Sequence, residues 1–241
     1  MDSLKFHIED SGNNRVIRTD LSALSSNPSA QVVRVRESEL IFNAGEMPRG
    51  LYFLKSGAVK LVSERPCKRG RGSNPEFINK IVSAGEFFGF KALIFGKEYP
   101  FYAQALSASE LHIFPTAVIT QVMSGSNDLL KLVLQQVAQD LDIHEKTAQL
   151  HYLASVQERI SYQLALLAEK FGVAVEGGLS LNLRLTRNEL AQLAGTINES
   201  LSRHLTELKA LGIIDVRGKE IIVKNLPELK ARSGNFRTLE Q

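Results

Sequence analysis

The sequence predicts an α+β chain in which an N-terminal β-roll, one long helix and a C-terminal winged helix-turn-helix follow one another. Short β-prone runs between Val32 and Phe114 are punctuated by Gly45, Gly50, Gly57, Gly85 and Gly89, the pattern of a barrel or roll. From Leu130 to Ala148 apolar positions alternate steps of four and three, which is the seam of a coiled coil. From Leu185 to Gly212 two T-x-x-E boxes and a glycine mark two short helices, and a hairpin pattern follows at once.

Residues 1 to about 30 are polar, with loop signals at Gly12-Asn13-Asn14 and Ser25-Ser26-Asn27-Pro28, and admit little beyond a short helix. Strands are expected at Val32–Val35, Leu40–Phe42, Leu51–Leu54, Val59–Val62, Phe77–Val82 and Leu111–Phe114. Between two of them, residues 64–75 form a basic Gly/Pro-rich loop holding Cys67. It reads as a mobile hairpin loop, with contact to phosphate, a polymerase or an anionic ligand as the functional alternative.

After Pro115 the period becomes helical, with a short helix to about Met123 and a break at Ser124-Gly125-Ser126. Ser126 can cap a long helix running toward Tyr152, with Asp128 in its first turn. Leu130, Leu134, Val137, Leu141, His144 and Ala148 form its seam, read as a homodimer interface because so long an apolar face exceeds what one small roll covers. The alternative is a seam packed on the chain's own roll. His144 reads as a partly buried packing residue rather than a ligand or pH switch. The pattern resets at Ala154-Ser155, where Ser155 and Glu158 make a capping box and a hinge is placed. Ile160, Leu164, Leu167 and Phe171 then form a core stripe, Glu176-Gly177-Gly178 a turn, and Leu179–Leu185 a strand. The tail beyond Pro227 ends in polar residues that are expected to fray. The implied units are a roll over 1–124, a dimerisation helix and hinge over 125–154, and the winged helix-turn-helix over 155–241.

Within the last unit, Thr186 with Glu189 and Thr196 with Glu199 open the two helices as capping boxes, and Gly195 sits in the turn between them. Leu201, Leu205, Leu208 and Leu211 form an apolar stripe on the second helix. Asn198, Glu199, Ser202, Arg203 and Thr206 lie opposite. A solvated helix face is the plainer reading of that polar side, but it offers donors and acceptors rather than Lys/Glu pairs. The hairpin Ile213–Val223 carries Arg217 and Lys219 around its tip. In a winged helix-turn-helix the start of the second helix enters the major groove, where Arg bonds guanine O6 and N7 and Glu accepts from cytosine N4. Wing cations face phosphate. Thr186, Arg187 and Thr196 at the helix starts complete the residues assigned to double-stranded DNA.

These residues resemble the DNA-binding domain of the Crp/Fnr transcription regulators, whose recognition helix carries Glu-x-x-Ser/Gly-Arg, here Glu199, Ser202 and Arg203. The resemblance implies a homodimer on an inverted repeat and contact with RNA polymerase. Serine at the third place is similar to the Fnr branch, associated with TTGAT half-sites; the Crp branch has glycine and prefers TGTGA. Asn198 matches neither branch. Phe42–Glu46, Leu51–Gly57 and Gly85–Gly89 resemble the family's cyclic-nucleotide-binding roll. In ligand-binding members a Gly-Glu pair and an Arg-Ser/Thr-Ala run hold ribose and cyclic phosphate. The matching stretches here read Gly89-Phe90-Lys91-Ala92 and Phe101-Tyr102-Ala103, so Phe90 and Phe101 replace both polar anchors. Losing the charge-assisted partner costs roughly 1.5–3 kcal/mol or more. The aromatic group Phe77, Phe87, Phe88, Phe90, Phe95, Tyr99, Phe101 and Tyr102 reads as the roll's self-filled core, with a pocket for an apolar ligand as the alternative. Lys91 or Lys97 leaves open a cyclic mono- or dinucleotide held in another pose. A regulatory module acting through protein contacts alone is the further alternative.

The chain has 241 residues, enough for two modest domains, and a formal net charge of +3, which permits DNA binding without arguing for it. No apolar run is long enough for a membrane span and no signal-peptide core is present, so the expected compartment is the cytoplasm. The single cysteine, Cys67, cannot supply an iron–sulfur cluster, departing from oxygen-sensing Fnr proteins, and gives haem little support. No cofactor and no metal site are expected, and the effector is an unidentified small molecule or none. No G-x-S-x-G, Walker or H-E-x-x-H pattern occurs, so no catalytic residues are assigned and an enzyme is not expected.

Overall fold

The computed structural model describes residues 6–11, 14–19, 30–64, 76–117, 119, 127–181, 183–218 and 220–234. Residues 6–11 and 14–19 form strands, where the sequence offered no more than a short helix, and residues 20–29 lie outside the described residues. β1 (Phe6–Ser11) and β2 (Asn14–Thr19) pair antiparallel, with Ser11 opposite Asn14. The two-residue Gly12-Asn13 connection between runs bearing Ile8, Val16 and Ile17 is a hairpin signal that outweighs a short polar helix.

The roll consists of two four-stranded sheets. β3 (Gln31–Val35), β10 (Ser109–Pro115), β5 (Gly50–Ser56) and β8 (Phe87–Phe88) form one, in the order β3-β10-β5-β8. β4 (Leu40–Phe42), β9 (Tyr102–Ala105), β6 (Ala58–Glu64) and β7 (Glu76–Ser83) form the other, in the order β4-β9-β6-β7. Their facing sides close on Phe42, Tyr52, Leu54, Val59, Leu61, Phe88, Tyr99 and Phe101. The Phe42 and Tyr99 rings stack with centroids 3.8 Å apart, so the interior is filled by the protein's own aromatic side chains. Phe77 and Phe95, which the sequence reading placed in that core, point outward and are 55% and 72% exposed. The basic loop after Glu64, including Cys67, lies outside the described residues.

Period-two alternation sends every second side chain of β5 and β6 to the opposite face, and both outer faces are covered too. Leu51 and Phe53 of β5 meet Phe87, Phe90 and Val133, the last from the long helix. Ala58 and Val62 of β6 join Ile78, Ile81 and Leu106 in a core shared with the C-terminal unit.

Helix α1 (Phe90–Phe95) starts directly after Gly89, whose φ of 84° brings the chain close over Tyr52. The turn after Pro115 is helical at 116, 117 and 119, and the expected break at Ser124-Gly125-Ser126 lies outside the described residues. Helix α2 (Asn127–Leu153) is 27 residues long. Ser155 then caps α3 (Val156–Phe171) through the expected box: the Glu158 N–H donates to Ser155 Oγ at 3.3 Å, and the Ser155 N–H donates to Glu158 Oε2 at 2.7 Å.

The C-terminal unit holds a sheet ordered β11-β12-β14-β13. β11 (Gly172–Val175) pairs with β12 (Gly178–Leu181) across the Glu176-Gly177 turn. The strand expected over Leu179–Leu185 therefore stops at Leu181, because β14 (Glu220–Val223) pairs only with Leu179 and Ser180 before the chain turns into α4 (Arg187–Leu193). α5 (Asn198–Ala210) and β13 (Ile214–Arg217) follow. Just before the expected fraying tail the chain forms α6 (Leu226–Ala231), with Pro in its first turn, Asn225 Oδ1 accepting from the Glu228 N–H at 3.0 Å, and Leu229 fully buried, and the polar residues that end the tail, 235–241, lie outside the described residues.

Candidate nucleic-acid interface

The start of α4 is built as its sequence prescribes. The Glu189 N–H donates to Thr186 Oγ1 at 3.2 Å, and the Thr186 N–H donates to Glu189 Oε2 at 2.7 Å. Glu189 Oε1 also accepts from Lys60 Nζ at 2.6 Å, across from the roll. Burial alone would raise the Glu189 carboxyl, but Lys60 and the Thr186 donors overcome it and hold the group below its ordinary value.

α5 departs from expectation at its start. The helix begins at Asn198 with Ile197 as its cap, so Thr196 and Glu199 do not form a capping box. The Thr196 N–H instead donates to Ala191 O at 2.9 Å, closing the end of α4, while Gly195 takes a φ of 59°. The left-handed conformation favours glycine there, and a side chain would also have to push aside the exposed His151 ring at the end of α2. Beyond this point the faces sort by period. Leu201, His204, Leu205 and Leu208 are buried, and Asn198, Glu199, Ser202, Arg203 and Thr206 are exposed. Among the described residues none pairs with the side chains of Glu199, Ser202 or Arg203, so their hydrogen-bonding capacity is free to be used outside the chain. Leu211 leaves the apolar stripe and is 52% exposed, since the helix has ended at Ala210.

His204 fills the place in the stripe that sequence reading passed over. Its Nε2 lies 3.1 Å from Ser161 Oγ of α3 and its Nδ1 3.1 Å from Glu207 Oε2. The spacing 201, 204, 205, 208 was the available signal, masked by the residue's polarity. Arg159 was also missed. Its guanidinium donates to the carbonyls of Ala154 at the hinge and of Ala194 and Gly195 in the turn, at 3.0, 3.1 and 3.1 Å. One fork-shaped cation thereby ties the hinge to the helix-turn-helix.

The wing is the expected hairpin, with Arg217 opposite Glu220. Lys219 at its tip lies outside the described residues. Arg217 is 65% exposed at the side chain, yet its Nε donates to Asp215 Oδ2 at 3.1 Å, and Lys209 Nζ stands 3.2 Å from Asp215 Oδ1. Donation by Lys209 and Arg217 pulls the Asp215 carboxyl down to about 2. Arg187, at the start of α4, reaches the carbonyl of Gly218 at 3.5 Å. Thr186, Arg187, the exposed face of α5 and the wing thus lie on contiguous elements.

In α2, Leu134 and Leu141 are 57% and 56% exposed on the single chain, Val137 is half-buried against the roll, and His144 and Ala148 are exposed. His144 is exposed on the single chain rather than partly buried. Leu130 belongs to α2, but its side chain lies outside the described residues. On the side facing the roll, His144 and Asp140 help to wall a cavity of about 40 Å³ with Gly89, Phe90, Lys91 and Phe101. Ala92, Tyr102 and Ala103, assigned with them from sequence, are not in its wall. Ala92 and Ala103 pack in the roll interior. Tyr102 points to the outer face, where its hydroxyl donates to Glu76 Oε1 at 2.9 Å. Pockets for drug-sized ligands run to roughly 300 Å³ and above, so the cavity has room only for a few water-sized groups.

Among the described residues no group of three or more His, Cys, Asp or Glu is placed to hold a metal. The one cysteine of the sequence does not provide the four thiolates of an iron–sulfur cluster. Among the described residues no helix is long and apolar enough to cross a membrane.

Comparison with known proteins agrees with this geometry. Residues 158–232 match the Crp-like helix-turn-helix domain and residues 32–126 the cyclic nucleotide-binding domain. The chain is 26% identical over 200 residues to the fumarate and nitrate reduction regulatory protein of Vibrio cholerae, covering 83% of this chain and 77% of that protein. It is 24% identical over 202 residues to the anaerobic regulatory protein of Aggregatibacter actinomycetemcomitans, covering 83% and 75%. Its fold is similar to that of FixK2 from Bradyrhizobium japonicum, with a TM-score of 0.71 at 20% identity over 86% of this chain and 99% of that one. It is also similar to the c-di-GMP-responsive regulator CLP of Xanthomonas campestris, with a TM-score of 0.66 at 24% identity over 81% and 94%. With both domain types present in the order of those regulators, the chain belongs to the Crp/Fnr family of DNA-binding transcription regulators.

Proposed function

We propose that the protein is a cytoplasmic homodimer that binds an inverted-repeat promoter site with TTGAT-like half-sites and contacts RNA polymerase. In this reading residues 1–124 are a sensory roll, 125–154 the dimerisation helix and hinge, and 155–241 the DNA-binding unit. The observation that carries it is the division of α5. Glu199, Ser202 and Arg203 are exposed and unpaired within the described chain on one side, and Leu201, His204, Leu205 and Leu208 are buried on the other. Arg203 reads a guanine, Glu199 the cytosine paired near it, and Ser202 the thymine side that separates TTGAT from TGTGA. Asn198 and Thr196 flank them, and Thr186, Arg187, Arg217 and Lys219 meet phosphate. Leu134 and Leu141 fit a seam covered by a second copy. Selection from random duplexes tests this: an inverted repeat near TTGAT-N4-ATCAA is expected, and recovery of no repeat would sink the reading.

The roll lacks the family's cyclic AMP anchors, with Phe90 and Phe101 in their places, and its ligand is another small molecule or none. A cyclic mono- or dinucleotide bound in a changed pose is the second reading, favoured by Lys91 in the cavity wall. Calorimetry with a panel of cyclic nucleotides separates the two.

A further inference from the structure

The outer face of β6 and its neighbours meets the DNA-binding unit across an apolar surface in which Ala58, Val62 and Ile78 join Leu190 and Ala191 of α4 in one cluster. In the middle of β6 stands Lys60, only 8% exposed. Its Nζ lies 2.6 Å from Glu189 Oε1, and both side chains are shielded, at 11% and 14% exposure. Glu189 Oε2 is already taken by the N–H and hydroxyl of Thr186, at 2.7 and 2.8 Å. The roll therefore grips the carboxylate that shapes the start of α4, the helix end carrying Thr186 and Arg187. Apolar contact is non-directional and tolerates sliding, whereas a shielded ion pair has one good geometry.

From this we infer that Lys60 is a positioning residue for DNA recognition: it fixes the helix-turn-helix against the roll, and so sets the separation of the two recognition helices in the dimer. The inference rests on the proposed reading of an inverted repeat by a homodimer. A dimer held at one separation binds both half-sites at once only when their spacing matches, and a loosened one forfeits that selectivity together with part of the two-site gain.

The experiment measures binding of the full-length protein to duplexes carrying the selected inverted repeat with its spacer unchanged, one base pair shorter and one longer, and to a single half-site. Lys60→Met keeps the aliphatic stem and removes the charge. Glu189→Gln removes the opposite charge while keeping a side chain able to serve the capping box. Both variants should lose about tenfold in affinity for the native spacing, keep their affinity for the single half-site, and discriminate less among spacers. Lys60→Arg should restore the wild-type preference. A mere loss of stability would lower all four affinities together; should Lys60→Met fail to fold, Glu189→Gln decides. Unchanged spacer discrimination in the charge-removing variants overturns the inference, and so does tighter operator binding, which would make the contact a restraint. A wild-type protein that selects no inverted repeat removes the underlying reading, and the wild-type arm reports that separately.

Discussion

Arg203 and His204 are neighbours in sequence with opposite surroundings, one exposed on the recognition helix and one buried beneath it. Arg203→Ala should cost about 1–3 kcal/mol per half-site on the selected sequence and leave non-specific binding nearly unchanged, since that component comes from phosphate contacts. Ser202→Gly should narrow the preference for TTGAT over TGTGA. Competition assays on both duplexes at fixed salt check each. His204→Ala acts on the fold instead: it strands the Ser161 hydroxyl, fully buried, and should lower stability in urea by about 1–3 kcal/mol. The exposed face proposed to read DNA was legible in the sequence because Glu199, Ser202 and Arg203 have a chemistry as well as a spacing. His204 and Arg159 were not, because their partners Ser161, Ala194 and Gly195 lie more than thirty positions away and are joined only by tertiary packing.

At the scale of elements, α2 presents Leu134 and Leu141 outward with no described part of its own chain over them. Combined Leu134→Asp and Leu141→Asp should yield monomers by light scattering and abolish tight operator binding; a double variant that stays dimeric and folded moves the interface elsewhere. The capping box of α4 makes a second case. Thr186→Ala should cost about 0.5–2 kcal/mol in thermal or chemical unfolding. Local signals of this kind were readable in advance at Ser155 and Thr186, where side chain, backbone and helix start coincide. The same pattern misled at Thr196, because the α4 end took its N–H and shifted the start of α5 to Asn198. β1, β2 and β11 went unread because strands this short give a weak alternating pattern on their own.

For the whole molecule, the buried ion pairs and bridged carboxylates set the response to acid. Lys55 and Arg34 hold Glu110 down to about 2, as Lys209 and Arg217 hold Asp215. Burial would raise Glu86, yet Lys80 and Lys170 leave it below its ordinary value, as Lys60 and Thr186 do for Glu189. Each group takes up a proton more readily in the unfolded chain than in the fold. Its contribution is therefore complete above the unfolded value of about 4, and is lost as pH falls through the lowered folded value. Urea titrations should show level stability from about pH 7 to 5 and a decline below about 4.5. If Phe90 and Phe101 stand at the anchor positions as proposed, cyclic AMP at millimolar concentration should leave the melting temperature and DNA affinity unchanged, because both are buried apolar side chains. A rise in melting temperature would show that Lys91 or Lys97 serves as the anchor.

Strand β6 has one further consequence. Val59 and Leu61 point into the roll, while Ala58 and Val62 point into the core shared with the DNA-binding unit, so a single layer of backbone is a party wall between two interiors. Neither side can open without uncovering the other's lining. Calorimetry should record one cooperative transition for the folded chain, and the backbone amides of Val59 to Val62 should exchange their hydrogens only through that shared opening, at a rate fixed by both units together.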